Sequence, residues 1–450
     1  MSRVMPFALF LAPWIAPGAE VRIASDFPGG NIVIERIEGD DVFVHQDLRD
    51  TKGDWFYWYF AVRGAQGREL TFHFTRSRAI GPLGPGVSRD GGRSWAWLGR
   101  RGSPTSFTCG FGSDDTEVRF SFGMPYQHAD LMRFLERHAK KPCLKREVLG
   151  KTRKGRPVDL LRIGRPGARA KHKVLVTARH HACEMMASYV AEGLIDAFLE
   201  DSETGRWLRE HVDCAVVPMV DLDGVEDGDQ GKNRQPHDHK ADYRGTSIYP
   251  EVAALRKFLA EWAGGRPDVD IDLHNPGINH DRIYTHALRA AVGEGPESRA
   301  PERKFLETLE AVQRGPMKFR LQDSVDFAAR MAAKSKTAEG EGATPGDKVP
   351  GTMAGSRDGE VNAGFEIPYA LVGDVPVTPD SARAFGHDIA RALVVSANGI
   401  LGDLPEAGAS ALHPSPTGQA EEIAVSHPTA TRRERFALPK AGHTARVIIE

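Results

Sequence analysis

The chain has 450 residues, and its 59 Lys and Arg against 61 Asp and Glu leave a formal net charge of −2. That balance excludes a chain built to coat nucleic acid or an anionic membrane surface. Hydrophobic residues at 40% suffice for two or three folded units, and four scattered cysteines make neither a disulfide scaffold nor a zinc ribbon. No apolar run approaches the ~20 residues of a membrane-spanning helix.

Arg3, the apolar stretch Val4 to Ala16 and the small residues Gly18 and Ala19 follow the pattern of a secretory leader, although Pro6 and Pro13 interrupt it. Residues 1–19 are therefore expected to direct export to a periplasmic or extracellular location; without cleavage there, the protein is cytoplasmic. Residues 23–135 read as an antiparallel β-sandwich. Aromatics crowd Asp54 to Val62, apolar and polar residues alternate over Leu70 to Phe74, and turn residues such as Gly64 to Gly67 separate the runs. Trp55, Trp58, Trp95 and Trp97 fit packing between two sheets better than a glycan-binding face. Eight Lys or Arg against one acid over residues 140–156 fit the solvated turn of a hairpin, Arg146 to Gly150 with Pro157 to Arg162, better than a nucleic-acid patch.

From residue 172 strands alternate with helices, which predicts a mixed-sheet α/β domain over 140–402. The expected elements are strands Val174–Thr177, Cys214–Met219 and Val269–Leu273, and helices Met185–Leu199 and Val252–Trp262. The Gly-rich, polar residues 337–363 read as a long loop, and the proline-punctuated residues 403–450 as a disordered tail.

His181-Ala-Cys-Glu184 sits between a buried strand and a helix, beyond the carboxyl end where open α/β sheets place ligands. His274 ends another strand at the same kind of edge. Two imidazoles and a carboxylate with a fourth position open make a catalytic zinc site. The plainer alternatives are a capping or core histidine and a first-turn acid favoured by the helix dipole. Cys183 between them reads as a small buried hydrophobe, and His237 and His239 as loop residues near the pocket.

The stretches Thr177 to Glu184, Val217-Pro-Met-Val-Asp-Leu-Asp-Gly-Val225, Asp270-Ile-Asp-Leu-His274 and Gly364-Phe-Glu-Ile367, in this order, resemble the zinc carboxypeptidases of the carboxypeptidase A-like fold, and within them the cytosolic carboxypeptidase, deglutamylase-like branch. The aromatic segments Asp54-Trp-Phe-Tyr57 and Met124-Pro-Tyr126 resemble the β-sandwich that precedes the catalytic domain in that branch. The resemblance implies one zinc per chain held by His181, Glu184 and His274, with Glu366 as general base and acid. It implies that Arg234 polarises the scissile carbonyl. Where the family carries an Asn-Arg pair for the substrate's terminal carboxylate, this chain has Lys240-Ala241. Lys240 or Arg244 is then left to meet the carboxylate, and a lysine offers a point charge where arginine offers a planar fork.

The expected activity is zinc-dependent hydrolysis of a C-terminal peptide or isopeptide bond, with a peptide or protein C-terminus as partner. The altered clamp leaves open a zinc amidase or deacylase acting on a small acylated substrate. A non-catalytic glycan- or peptide-binding protein would have no chemical need for His181, Glu184, His274 and Glu366 together.

Overall fold

Two sheets occupy residues 22–121 of the computed structural model, which describes residues 20–164, 170–288, 299–339 and 361–400. One orders Val33–Glu38, Asp41–His45, Glu69–Phe74 and Ser106–Gly110; the other orders Arg22–Ala24, Tyr59–Arg63, Glu117–Ser121, Gly86–Ser88 and Ala96–Trp97. Their pairings are antiparallel except that Asp41–His45 runs parallel to Glu69–Phe74. Period-two alternation turns Leu70, Phe72 and Phe74 inward. Phe72 and Phe107 from the first sheet meet Phe60 and Phe120 from the second, with ring centroids 5.3–5.7 Å apart between Phe60, Phe107 and Phe120 and their neighbours. Trp58 is fully buried beside Phe107 and donates its indole N–H to the Ala79 carbonyl at 2.8 Å. These aromatics form an inter-sheet core.

The aromatic run at 54–62 joins a sheet only from Tyr59 onward. Side-chain chemistry explains the delay. Gln230 accepts from the Tyr57 backbone N–H at 2.8 Å and donates to the Tyr57 carbonyl at 2.9 Å, satisfying both groups that a neighbouring strand would otherwise need.

The second part is built on a seven-stranded mixed sheet in the order Leu144–Lys151, Pro157–Gly164, Val212–Val217, His172–Ala178, Val269–His274, Val361–Glu366, Tyr284–Thr285. The four strands from Val212–Val217 to Val361–Glu366 are parallel, and both flanks are antiparallel. Parallel strands are covered on both faces, and Val212–Val217 is accordingly buried at every position. The expected hairpin over 146–162 is Leu144–Lys151 with Pro157–Gly164. Helices Met185–Leu199 and Pro379–Ile400 lie against each other, and Pro250–Ala263 packs on Leu144–Lys151.

The loop expected at 337–363 is shorter at both ends. Helix Leu321–Glu339 takes its first three residues, 337–339, continuing a run in which Ala332, Ala333, Lys334 and Lys336 are good helix formers, and strand Val361–Glu366 takes its last residues. Its remainder, the leader at 1–19 and the tail at 403–450 lie outside the described residues. Among the described residues no helix is long and apolar enough to cross a membrane.

The contact between helices Met185–Leu199 and Pro379–Ile400 depends on glycine. A Cβ on Gly193 would lie 2.0 Å from the Arg383 carbonyl oxygen. Gly193→Ala should therefore destabilise the protein by ~1–3 kcal/mol, the usual cost of overpacking, despite alanine's better helix propensity. Chemical denaturation of both proteins checks this; an unchanged or raised midpoint would contradict the packing described.

Candidate active site

Parallel register brings three strand ends together: Ala178 pairs with Leu273, and His274 with Glu366. The chain leaves Ala178 through Arg179, which adopts φ 60° and is buried. A left-handed arginine is costly unless its surroundings hold it. Here the guanidinium donates to the carbonyls of Ala182 and Tyr126 (3.0 and 2.8 Å) and to the Ser188 hydroxyl (3.1 Å). That network clamps the loop carrying His180 and His181 onto the start of helix Met185–Leu199. Glu184 stands at the N-cap of this helix, where the dipole favours an anion.

His181, Glu184 and His274 form one group whose nitrogen and oxygen donors all lie within 4.8 Å of one another. His181 Nδ1 is 3.0 Å from Glu184 Oε1, and His274 Nδ1 is 2.8 Å from Glu184 Oε2. On its other side His274 donates from Nε2 to Asp272 Oδ2 at 2.7 Å. A neutral imidazole has one N–H, so His274 bonded to Asp272 turns a bare lone pair towards the Glu184 carboxylate. Only a cation resolves that opposition: a proton on the ring, or a metal among the three donors. The metal-free charges lean the same way. Burial disfavours the charged ring, but Asp272 and Glu184 outweigh it and push His274 up to about 10. Burial likewise raises the Glu184 carboxyl, yet His181, Lys232 and His274 outweigh it and hold it well below its ordinary range. Two nitrogens, one carboxylate and an orienting aspartate behind a histidine are the donor set of a zinc site.

Glu366 stands across the strand pair from His274. Its Oε1 accepts from His286 Nε2 at 3.0 Å, while its buried Oε2 has no hydrogen-bond partner. Burial raises this carboxyl, but His286, Lys232 and His274 outweigh it and keep it below its ordinary value. An ionised carboxylate with one oxygen unengaged is suited to accept a proton.

Arg234 faces elsewhere. Its Nε, Nη1 and Nη2 lie 3.0, 2.7 and 2.8 Å from carboxylate oxygens of Asp50, Asp221 and Asp229, and Nη1 is 3.3 Å from His239 Nδ1. Lys240 is ion-paired through Nζ with Asp272. Arg244 is exposed. His237 donates to Asp242 at 2.6 Å, and His239 stacks on Tyr249 and reaches Glu251 at 2.6 Å. Cys183 is buried with its Sγ 3.7 Å from the Tyr369 hydroxyl, and burial pushes its thiol up to about 12, so it is inert.

Among the described residues two further groups have metal-ligating types at suitable separation. In His180, Asp272 and His274 every donor is already engaged: His180 bonds Asp272 at 2.9 Å and the Tyr243 hydroxyl at 2.7 Å, and Asp272 also accepts from Thr177 at 2.8 Å. In Asp221, His239 and Glu251 the Arg234 guanidinium already supplies the cation.

Sequence reasoning missed Asp272 and Lys232. Asp272 had a signal, since two acids in the buried strand Val269–His274 demand partners. Lys232 is buried, with Nζ 2.6 Å from Glu184 Oε1, 3.2 Å from the Asn275 carbonyl and 4.8 Å from the centre of the Trp55 ring. Nothing local in Gly231-Lys-Asn-Arg234 separates its task from that of Arg234.

Residues 131–296 match the family profile described as zinc carboxypeptidase. Cytosolic carboxypeptidase 6 of Caenorhabditis elegans is 24% identical over 262 residues, covering 52% of this chain and 57% of that protein. The mouse protein of the same name is 31% identical over 132 residues, covering 28% of this chain and 24% of its own. An uncharacterised protein of Zymomonas mobilis is 26% identical over 215 residues, covering 45% of this chain and 54% of its own. The chain thus spans about half the length of the first of these curated relatives. Among solved structures, a metallo-carboxypeptidase from Pseudomonas aeruginosa superposes with TM-score 0.68 at 21% identity, covering 84% of this chain and 100% of that one. One from Burkholderia cenocepacia gives 0.67 at 18%, covering 84% and 100%. The chain has a carboxypeptidase A-like fold.

Two substitutions probe the buried acids behind the site. Asp272→Asn keeps the shape but loses the charge that orients His274, so zinc affinity should fall ~10–100-fold in a chelator competition. Asp270, whose Oδ1 has no partner, is pushed up to about 7 by burial and by Asp272. The native protein then keeps a proton that the unfolded chain releases near pH ~4. Stability is therefore lost as pH rises from about 4 to about 7 and is level above. Asp270→Asn should be no more stable than wild type near pH 4 and gain progressively to pH 7; a gain independent of pH would rule out this titration.

Proposed function

We propose that the chain is a zinc-dependent carboxypeptidase that hydrolyses the last peptide or isopeptide bond of its substrate, with one zinc per chain. The observation that carries this reading is the convergence of His181 and His274 Nδ1 on the two oxygens of Glu184, with Glu366 opposite. The zinc carboxypeptidase profile and the fold support the same assignment.

In this reading His181, Glu184 and His274 hold the zinc, and Asp272 fixes the His274 ring so that Nδ1 is the donor. Zinc, when bound, supplies Lewis-acid polarisation of water and of the scissile carbonyl. Glu366 Oε2 takes a proton from the attacking water as its oxygen joins the carbonyl carbon. It returns that proton to the leaving nitrogen as the C–N bond breaks, leaving a carboxylic acid, which then ionises, and a free amine. The hydrogen bond from His286 to Oε1 holds the carboxylate in place while Oε2 works. Of the two residues expected to meet a substrate carboxylate, Lys240 is ion-paired with Asp272 and Arg244 is exposed.

Purified protein should contain one zinc, and His181→Ala and His274→Ala should each lose it. Glu366→Gln should keep the metal and lose ~10²–10⁴-fold in turnover of peptides with free C-termini, measured by amino-acid release. Full zinc in both histidine variants would remove the ligand assignment. Wild-type turnover in Glu366→Gln would move the base elsewhere.

A further inference from the structure

We infer that Lys232, not Arg234, supplies the positive charge that meets the scissile carbonyl and the oxyanion developing on it. The inference rests on the peptidase reading and names a catalytic residue within it. The two cations stand two residues apart on one loop, and their surroundings separate them. Arg234 has a different aspartate against each of its three nitrogens and His239 beside one of them. A guanidinium held by three carboxylates presents no net positive field to a substrate.

Lys232 is placed otherwise. Its ammonium lies 2.6 Å from a proposed zinc ligand, Glu184, and its field acts on Glu366 as well. It thus stands beside the proposed metal position that a scissile carbonyl would approach. Its other neighbours, the Asn275 carbonyl at 3.2 Å and the face of Trp55 at 4.8 Å, hold the head group without neutralising it. Its side chain is 11% exposed, enough to touch a bound substrate while most water is excluded. With zinc held by His181, Glu184 and His274, Glu184 would hold the ammonium less tightly through Oε1, and its charge would be left for the substrate oxygen. A preorganised cation in a dry site is the usual way of stabilising such an oxyanion.

The test compares zinc-loaded wild type, Lys232→Met, Lys232→Gln and Lys232→Arg. Each is measured for zinc affinity against a chelator, for kcat and KM on a peptide with a free C-terminus, and for binding of a phosphinic pseudopeptide. The tetrahedral phosphinate carries the charge that an oxyanion would. Both neutral variants should retain zinc and bind it several-fold more tightly, because Glu184 loses a competing cation. Their kcat should fall ~10²–10³-fold with KM changed less than about threefold, and phosphinate affinity should fall by a similar factor. Lys232→Arg should recover part of both. Wild-type kcat and wild-type phosphinate affinity in either neutral variant would overturn the inference and leave Lys232 as a counter-ion of Glu184. If wild type holds zinc but releases no amino acid, the peptidase reading fails, and the phosphinate affinities still decide for or against Lys232. The glutamine variant keeps a polar N–H head in place of the ammonium, so the comparison stands even where methionine impairs folding.

Discussion

The Asp272 carboxylate is the interaction on which the arrangement of the site depends. A buried carboxylate is stable only when its lone pairs are satisfied and its charge is matched. Asp272 meets both demands with groups from separate segments. Oδ1 accepts from Thr177 at 2.8 Å and His180 at 2.9 Å; Oδ2 accepts from His274 at 2.7 Å and pairs with Lys240. Strand His172–Ala178, the loop after it, strand Val269–His274 and the short turn His239–Ala241 are therefore held to one point. The ring orientation that turns His274 Nδ1 to Glu184 follows directly.

The same carboxylate accounts for the departure at Lys240-Ala241. An arginine clamp for a substrate carboxylate must be free on its substrate side. Lys240 lies against Asp272, and its charge also offsets Asp270 nearby. Two acids two residues apart on one strand face need a buried cation, and a lysine at 240 serves that need.

Much of this was legible in the sequence because the signals were local. Period-two and period-four patterns located the strands and helices of the α/β domain, and the spacing of His181 and Glu184 across a strand-to-helix junction located one edge of the site. His274 followed from its position at a strand end, and Glu366 from the family resemblance carried by Gly364-Phe-Glu-Ile367. The cage around Arg234 was not legible, since Asp50, Asp221 and Asp229 come from distant segments that only the fold brings together. Nor was the part played by the N-terminal sheets. Asp50 reaches Arg234, Trp55 covers Lys232, and Tyr57 is tied to Gln230, so residues outside the matched profile form one wall of the site.

Arg234, Lys240 and Lys232 each have their own carboxylate partners, and the partners decide what the cation can do. Arg234 is surrounded by three aspartates, which also accept from the backbone N–H groups of Gln230, Gly231 and Gly224 and pair with Arg49, so its charge stays where it is. Lys240 shares Asp272 with two histidines, so its charge secures ring orientation. Lys232 alone among these three contacts a residue proposed as a metal ligand. A metal held by Glu184 would draw on the same carboxylate that Lys232 pairs with, so its binding would weaken that ion pair. In the proposed mechanism, occupancy of the centre and freedom of the nearest cation would be coupled through that single side chain.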